Sequence, residues 1–317
     1  MSASTRRLAL AVIGAGHFGR FHALKAAANP RLRLVGLADA DPARAAAVAL
    51  EAGTAVLTAQ QAIAGAEAVI VAAPTRFHHG LALAALEAGR HVFVEKPIAA
   101  TLDEADALIA AAAAQARVLQ VGHIERFSAA FRAVVGAAAG GRALSWDAVR
   151  AAPFRPRSLD VSVVLDLMIH DIDLVLTLAG DEPEAVEAVG AAVASARPDF
   201  AVARLRFSGG RAAVLTASRV SLAMERRLRV LGTEGEMGVD FLDRSLRVLR
   251  RGGAEAVAAM PGHGIDRATW TDHDSLEAEQ AAFAAACLDG APVVVDGAAG
   301  RRALKVALAV EAAIGGA

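Results

Sequence analysis

The segment Val12-Ile13-Gly14-Ala15-Gly16-His17-Phe18-Gly19-Arg20 decides the fold of this chain. It follows an apolar run, Leu8–Ile13, that predicts a strand, and it opens a run, Phe18–Ala28, that predicts a helix. Gly14 allows a tight turn, Gly16 leaves room for a pyrophosphate, and Gly19 lets the helix pack close to the strand. The helix N-terminus offers free N–H groups to phosphates. The segment therefore predicts a dinucleotide site, whose contacts are Gly14, Gly16, His17, Phe18 and Gly19.

An acidic residue follows the next strand, at the position where a dinucleotide fold recognises the ribose. Leu32–Ala38 predicts a second strand, and Asp39 follows it, 20 positions after Gly19. A carboxylate there accepts hydrogen bonds from the ribose hydroxyls and repels a 2′-phosphate, which favours NAD over NADP. The alternative is that Asp39 or Asp41 merely caps the helix that begins near Pro42. Asp41 suits that capping role better, so we predict that Asp39 contacts the ribose of NAD.

Length, charge and cysteine content limit the class of protein. The chain has 317 residues, of which 55% are hydrophobic, and this is enough for two domains. Its net charge of −1 gives no electrostatic footprint for nucleic acid or an anionic membrane. The single cysteine, Cys287, excludes an intrachain disulfide, as is typical of a reducing compartment. Arg6-Arg7 and the following apolar run resemble an export signal, but that run ends at Gly14 and is needed as the first strand. We predict a cytoplasmic protein without membrane spans.

Two regions of different pattern divide the chain. Residues 1–122 alternate strand and helix patterns with short connections, which predicts a doubly wound parallel sheet of the Rossmann type. Residues 202–250 alternate apolar and polar residues between tight turns, which predicts a mainly antiparallel sheet. Two helical patterns follow, Leu276–Leu288 and Ala298–Ile314. We therefore predict an α/β protein with an NAD-binding domain over residues 1–122 and an α+β domain over residues 123–317.

A charged pair follows another predicted strand of the first region. The apolar residues Val92–Val94 lead directly into Glu95-Lys96-Pro97. In open α/β sheets ligands bind beyond the carboxyl ends of the strands, which is where Glu95 and Lys96 fall. Pro97 favours an extended backbone at Lys96 and gives the amine a defined direction. The alternative for this pair is a plain surface ion pair at the end of a strand.

Polar residues at helical spacing mark the segment Leu165–Leu174. On a helix, Asp166, His170 and Asp173 would share one face. A carboxylate and an imidazole so placed can act as an acid/base pair at an alcohol. A structural hydrogen bond between His170 and Asp173 is the alternative. No cysteine or second histidine stands at metal-ligand spacing, so we predict no metal site.

Together these motifs resemble the Gfo/Idh/MocA family of oxidoreductases over essentially the whole chain. The matching motifs are Gly14-x-Gly16-x-x-Gly19, Pro74-x-x-x-His78, Glu95-Lys96-Pro97, Asp166-x-x-x-His170 and Phe283…Gly290-Ala-Pro292…Asp296-Gly297. The resemblance implies that the second domain binds substrate and that its open sheet mediates homodimers or homotetramers. It also implies that the NAD site includes Pro74, Thr75, His78, Glu95 and Lys96.

The resemblance also assigns the catalytic residues. Lys96 matches the family's catalytic lysine, and Asp166 and His170 match its aspartate and histidine. A sugar or polyol hydroxyl would then bind between Lys96 and His170 with its carbon facing the nicotinamide, while Asp166 orients the pair. We favour His170 as the base, because the ordinary pKa of histidine lies nearer neutrality than that of lysine. Lys96 would polarise the oxyanion, although burial of its amine would exchange the two roles.

A subgroup resemblance narrows the substrate. Residues 121–127 and 166–173 look like members that oxidise C3 of UDP-N-acetylglucosamine, although Met168 stands where many members have glycine. The ketone made by such members is aminated by a partner aminotransferase, for instance on the way to the 2,3-diamino sugars of lipid A. A diphosphate needs cationic contacts, and the candidates are Arg126, Arg155 and Arg157. The alternative is that Arg155 and Arg157 decorate a solvated loop.

Other functions fit parts of the pattern. An inositol or free-sugar dehydrogenase would use the same three catalytic residues. A non-catalytic NAD-binding sensor or scaffold does not need Lys96 and His170, and both are present. A protein like biliverdin reductase shares only the Rossmann half. We therefore predict an NAD-dependent dehydrogenase that acts on a hydroxyl of a sugar nucleotide.

Overall fold

The computed structural model describes residues 6–137, 142–156, 161–271 and 273–315. The chain forms two compact units. The first contains the residues up to Phe127 and Asp274–Leu304, and the second contains Ser128–His273 and the residues from Lys305 on. The predicted domain boundary after Gly122 thus lies before the end of the first unit, and residues 274–304 pack with the first unit instead of the second. Phe283 contacts Phe93 in this way, with ring centroids 5.8 Å apart.

The first unit is a parallel sheet with helices on its faces, as the sequence predicts. Its strands are β1 (Leu8–Ile13), β2 (Leu32–Ala38), β3 (Ala68–Val71), β4 (His91–Glu95) and β5 (Leu119–Gly122). Its helices are α1 (His17–Ala28), α2 (Pro42–Ala52), α3 (Ala59–Gly65), α4 (His78–Glu87), α5 (Leu102–Ala114) and α8 (Ser275–Asp289); α9 (Gly297–Gly315) begins in this unit. Every residue of β1 and β3 is buried, since helices cover both faces of a doubly wound sheet.

Local capping explains where two of these helices begin. The Asp41 carboxylate accepts hydrogen bonds from the N–H groups of Ala43 and Arg44 at the start of α2. Thr101 and Glu104 form a reciprocal capping box at the start of α5. The first of these caps confirms the sequence analysis and leaves Asp39 outside the cap of α2.

The strand order of the first unit places its predicted ligand residues at one edge. Within the described residues, five strands pair in the order β2-β1-β3-β4-β5, all in parallel. The chain leaves β1 toward β2 on one side and continues with β3 on the other, so a crevice opens between the two connections. The residues that follow the strands therefore meet at the carboxyl edge of this sheet.

The second unit is built on a large sheet. Its helices are α6 (Ala129–Ala137) and α7 (Ile169–Ala179), and its strands are β6 (Ala143–Ala151), β7 (Ala185–Ala191), β8 (Phe200–Arg206), β9 (Ala212–Ser218), β10 (Glu225–Gly232), β11 (Gly235–Asp240), β12 (Ser245–Arg251), β13 (Glu255–Ala256) and β14 (His263–Thr269). Among the described residues the order is β13-β14-β12-β11-β10-β6-β9-β8-β7, and β6–β9 is the one parallel pair in it. The mainly antiparallel prediction is confirmed.

The two faces of this sheet differ in exposure. Trp146 of β6 and Leu215 of β9 are completely buried on the face that α7 contacts. Side chains of the opposite face remain accessible, including Val189 of β7 at 59% and Val214 of β9 at 39%. Within the described residues, no helix is long and apolar enough to span a membrane.

Candidate active site

The glycine motif forms an open turn between β1 and α1. Gly14 has a φ of +106°, and a Cβ there would lie 2.4 Å from the carbonyl oxygen of Ala72. A Cβ on Gly19 would lie 1.9 Å from the carbonyl oxygen of Gly14. Gly16 differs, because no described atom beyond its two chain neighbours lies within 4 Å of its Cβ position and no described side chain caps the N-terminus of α1. The space beside Gly16 and the uncapped N–H groups fit a pyrophosphate.

Asp39 contacts the glycine-rich turn. Its Oδ2 accepts a hydrogen bond from the N–H of Ala15 at 2.5 Å, and its Oδ1 accepts one from Arg44 Nη2 at 2.7 Å. Burial acts to raise the pKa of Asp39, but the hydrogen bonds from Arg44, Asp41 and Ala15 outweigh it and lower this pKa. The carboxylate is therefore ionised at the end of β2, where the sequence predicts a ribose contact, and Arg44 lies next to it.

Replacing Asp39 by serine should relax cofactor preference. The substitution removes the charge that repels a 2′-phosphate and releases Arg44 from its ion pair. We expect the ratio of NADP to NAD affinity to rise by about tenfold or more, since a hydrogen bond to a charged group contributes ~1.5–3 kcal/mol. Titration of the purified protein with each nucleotide measures this ratio. The double variant Asp39→Ser/Arg44→Ala should lose the gain, and an unchanged ratio in Asp39→Ser would place the ribose contact elsewhere.

Glu95 turns into the protein interior. It ends β4, its side chain is 10% exposed, and its Oε1 accepts a hydrogen bond from His22 Nε2 at 2.8 Å. Its Oε2 lies 3.2 Å from the backbone nitrogen of Lys96, which donates to it. The Glu95 carboxylate is thus not part of an ion pair at the protein surface. It points inward from the carboxyl edge of the sheet. Lys96, one residue later, is half-buried at the carboxyl edge.

His78 braces two loops of that edge. One ring nitrogen lies 2.8 Å from the carbonyl oxygen of Pro97, and the other lies 2.7 Å from that of Ala73. Burial lowers the pKa of this imidazole. Both ring nitrogens thus face main-chain carbonyls in the loops after β3 and β4. The contact between His78 and NAD stays a prediction. Pro74 is exposed and Thr75 half-buried, in the loop after β3.

The remaining predicted cofactor contacts lie at the start of α1. His17 is exposed and Phe18 is half-buried. Their rings meet edge to face, with centroids 5.6 Å apart.

Asp166 and His170 lie on one helical segment of the second unit. Val164–Met168 forms a π-helical turn, in which the N–H of Ile169 bonds the carbonyl of Val164, and α7 continues from it. Such turns are frequent at functional sites because they shift the side chains around the helix. Asp166 and His170 are half-buried, whereas Asp173 is 1% exposed. The face predicted from the sequence spacing supposes a regular α-helix, so this π-helical turn is not apparent from the sequence.

Two buried ion pairs fix this segment on the sheet. Arg150 of β6 donates through Nε and Nη2 to both oxygens of Asp171, at 3.0 and 2.9 Å, directly after His170. Arg219 donates to Oδ1 of Asp199 at 2.8 Å and to the carbonyl of Val161 at 3.0 Å. Nothing in the spacing of these four charged residues pairs them, so the two ion pairs are not apparent from the sequence.

Removal of the Asp199 charge should destabilise the protein at neutral pH. The Asp199 side chain is fully buried, and its Oδ2 accepts three backbone N–H groups, from Val193, Ala194 and Ser195. Burial acts to raise the pKa of Asp199, but the hydrogen bonds, led by that from the Ser195 hydroxyl, hold it far below its usual value. Breaking such a pair costs about 3–5 kcal/mol, which is our expectation for Asp199→Asn at pH 7.

The pH dependence of this effect has a definite sign. When folding lowers the pKa of a carboxyl group, the ionised group stabilises the folded protein fully at pH values above its unfolded pKa of about 4. This stabilisation is lost as the pH falls toward the pKa of the folded state. Wild-type unfolding free energy, measured by denaturant titration, should therefore fall more steeply between about pH 5 and pH 2 than that of Asp199→Asn. Asp106→Asn, at an exposed pair with Arg301, is the control and should change little. Parallel pH curves for wild type and Asp199→Asn would contradict this assignment.

The predicted substrate cations differ in position. Arg126 is half-buried in the 3-10 turn Ile124–Phe127, which follows β5 at the same edge as Lys96. Arg155 is exposed in the segment after β6, and Arg157 lies outside the described residues.

Burial raises the pKa of the Cys287 thiol, which disfavours a nucleophilic role. No cluster of three metal-ligating side chains occurs in the described part of the chain.

Comparison with known proteins gives consistent matches over both units. Residues 8–123 match the family described as "Oxidoreductase family, NAD-binding Rossmann fold", and residues 119–237 match "GFO/IDH/MocA C-terminal domain". UDP-N-acetylglucosamine 3-dehydrogenase of Acidithiobacillus ferrooxidans is 41% identical over 96% of each chain. A solved structure of that enzyme superposes with a TM-score of 0.91 over 97% of each chain, at 40% identity. Inositol 2-dehydrogenase of Rhizobium meliloti is 29% identical over 93% of each chain.

Proposed function

The chain belongs to the Gfo/Idh/MocA family of NAD-binding oxidoreductases, and we propose that it oxidises the C3 hydroxyl of UDP-N-acetylglucosamine to a ketone. The observation that carries this proposal is the 41% identity, over 96% of the chain, to an enzyme named for that reaction. Lys96, Asp166 and His170 supply the side chains that alcohol oxidation requires.

The proposed chemistry divides between cofactor and protein. NAD, when bound, would supply the acceptor for the hydride of C3. His170 takes the proton of the hydroxyl, so that the C–H and O–H bonds break as the C=O bond forms. Lys96 stabilises the negative charge that develops on the oxygen, and Asp166 orients these groups. The open turn at Gly16 and the carboxylate of Asp39 would hold the pyrophosphate and the ribose of NAD.

Cationic side chains would recognise the diphosphate of the substrate. Arg126 follows β5 at the carboxyl edge, and Arg155 follows β6 in the second unit. We keep Arg157 in this proposal on its sequence position alone. Guanidinium groups suit phosphate oxygens because they donate two parallel hydrogen bonds.

A substrate panel tests the proposed reaction. Purified protein is incubated with NAD and, separately, UDP-N-acetylglucosamine, its uronate, inositols and glucose, with glutamate and a sugar aminotransferase added to remove the ketone. NADH should form with UDP-N-acetylglucosamine. Formation with inositol alone would support the second candidate, an inositol dehydrogenase, which the likeness to the Rhizobium meliloti enzyme favours. Failure with every substrate, with NAD bound, would favour a sensor or scaffold.

The proposal extends to partners and location. A 3-keto sugar nucleotide is a substrate for an aminotransferase, and we propose that this amination leads to amino sugars of the cell envelope, such as those of lipid A. We also propose a cytoplasmic homodimer or homotetramer. Self-association through the accessible face of the large sheet would cover exposed apolar side chains such as Val189 of β7 and Val214 of β9. Light scattering of the purified protein measures the number of subunits.

A further inference from the structure

A buried polar cluster lies directly behind Lys96. It contains His22 of α1, Glu95 at the end of β4 and Gln280 of α8, whose exposed fractions are 0%, 7% and 1%. His22 Nε2 lies 2.8 Å from Glu95, and Gln280 Nε2 lies 3.0 Å from His22 Nδ1. Hydrogen bonds therefore run without a break from α8 to the carboxylate that accepts the N–H of Lys96.

The contacts indicate which ring nitrogen of His22 donates to Glu95. The Gln280 nitrogen also donates to the carbonyl oxygen of His22 at 3.0 Å, so the amide must present its N–H groups to this residue. His22 Nδ1 therefore accepts a hydrogen bond from Gln280, which assigns a ring proton to Nε2. That proton is donated to the Glu95 carboxylate, which gives a charge-assisted hydrogen bond of fixed direction.

The neighbouring backbone is shaped to admit this carboxylate. A Cβ on Gly122 of β5 would lie 2.9 Å from Glu95 Oε2 and 3.1 Å from Glu95 Cα. A residue larger than glycine would push the carboxylate away from its present position. Protein stability does not require these three buried polar groups, because apolar residues of similar volume would stabilise the core equally well or better. Their common end point is the backbone of Lys96.

We propose that His22 and Gln280 are positioning residues that hold Glu95 and, through its carboxylate, the backbone of Lys96. The proposal rests on the catalytic role of Lys96 proposed above. His22 acts through its Nε2 proton, and Gln280 acts by keeping that proton on Nε2. Neither residue is in a motif of the sequence analysis.

Two substitutions of His22 distinguish the effect of its Nε2 proton from the effect of its ring packing. The ring also packs edge to face on Phe93, with centroids 5.0 Å apart. His22→Phe keeps the ring and removes the donor, whereas His22→Gln removes the ring and keeps an N–H of similar reach. We expect kcat to fall about ten- to a hundredfold in His22→Phe, the loss typical of a reacting group displaced by ~1 Å, with an unchanged Kd for NAD. His22→Gln should recover most of the loss. A wild-type kcat in His22→Phe, or a greater loss in His22→Gln, would overturn the proposal.

A second readout does not depend on turnover. The chain contains three lysines, Lys25, Lys96 and Lys305, so mass spectrometry can follow acylation of each amine separately. With NAD present, the labelling rate of Lys96 relative to Lys305 should change in His22→Phe and remain at the wild-type value in His22→Gln. The same ratio in wild type and His22→Phe would overturn the proposal whatever the kcat.

Gln280→Met provides a second variant if His22→Phe fails to fold. Methionine matches glutamine in length and removes both hydrogen bonds to His22, and we expect the same direction of change in kcat and labelling. Wild-type values for both would overturn the role of Gln280. If the wild-type enzyme oxidises none of the sugars tested, the proposed function fails, while the Lys96 labelling ratio still tests the positioning cluster.

Discussion

Replacement of His170 or Lys96 by alanine should abolish turnover without abolishing NAD binding. Loss of a positioned acid or base costs about 10²–10⁴-fold in rate. His170 lies in the second unit and Lys96 follows β4, whereas the cofactor motif lies between β1 and α1. The expected result is therefore a fall in kcat of at least about a hundredfold in each variant. The Kd for NAD should change little in His170→Ala, and in Lys96→Ala it should change far less than kcat, since Lys96 is only one of several predicted NAD contacts.

Steady-state kinetics and a separate NAD titration measure the two quantities. Lys305→Ala is a matched control, because Lys305 is half-exposed and pairs with Glu182 in the second unit. That variant should keep the wild-type kcat. Turnover at the wild-type rate in His170→Ala or Lys96→Ala would refute the catalytic assignment of that residue.

Alanine at Gly14 and at Gly16 should have opposite consequences. At Gly14 a Cβ overlaps the backbone of Ala72, and the positive φ adds strain. We expect Gly14→Ala to lower the free energy of unfolding by about 3 kcal/mol or more, from left-handed strain of ~1–2 kcal/mol and overpacking of ~1–3 kcal/mol. At Gly16 the Cβ meets no described atom, so Gly16→Ala should fold with nearly wild-type stability.

Gly16→Ala, which should keep its stability, should instead lose affinity for the cofactor. The methyl group of Gly16→Ala occupies the space into which a pyrophosphate would approach the backbone. We expect its Kd for NAD to rise at least about tenfold, which corresponds to ~1.4 kcal/mol. Denaturant titration and isothermal calorimetry measure the two effects. A stable Gly14→Ala protein, or a Gly16→Ala protein with wild-type affinity, would contradict the assignment of this turn.

The fold of the first unit follows from its sequence to a large extent. Apolar runs such as Leu8–Ile13 are punctuated by glycine, proline and capping residues, and these local signals define the strands and helices. The packing of residues 274–304 on the first unit cannot be predicted from the sequence. A helical pattern shows that one face of a helix is apolar, but it does not show which sheet that face covers. The short helix Ala59–Gly65 is also unmarked by the apolar patterns that we analysed.

The positions of several predicted site residues follow from local sequence signals. Gly14, Asp39 and Lys96 each follow a strand, and parallel pairing brings them to one edge of the sheet. His22 and Gln280 are 258 positions apart and meet only through packing of α1 and α8. A single histidine in an apolar helix is indistinguishable from a core residue in sequence, so the contact requires the folded structure.

Deuterium transfer tests the proposed reaction most directly. The purified enzyme is given NAD and UDP-N-acetylglucosamine that carries deuterium at C3 of the sugar, and the reduced nucleotide is analysed by mass spectrometry. Hydride transfer from C3 predicts reduced nucleotide that carries one deuterium and a sugar product that has lost it. Reduced nucleotide without deuterium, or none while the same preparation reduces NAD with an inositol, would contradict oxidation at C3 of this sugar nucleotide.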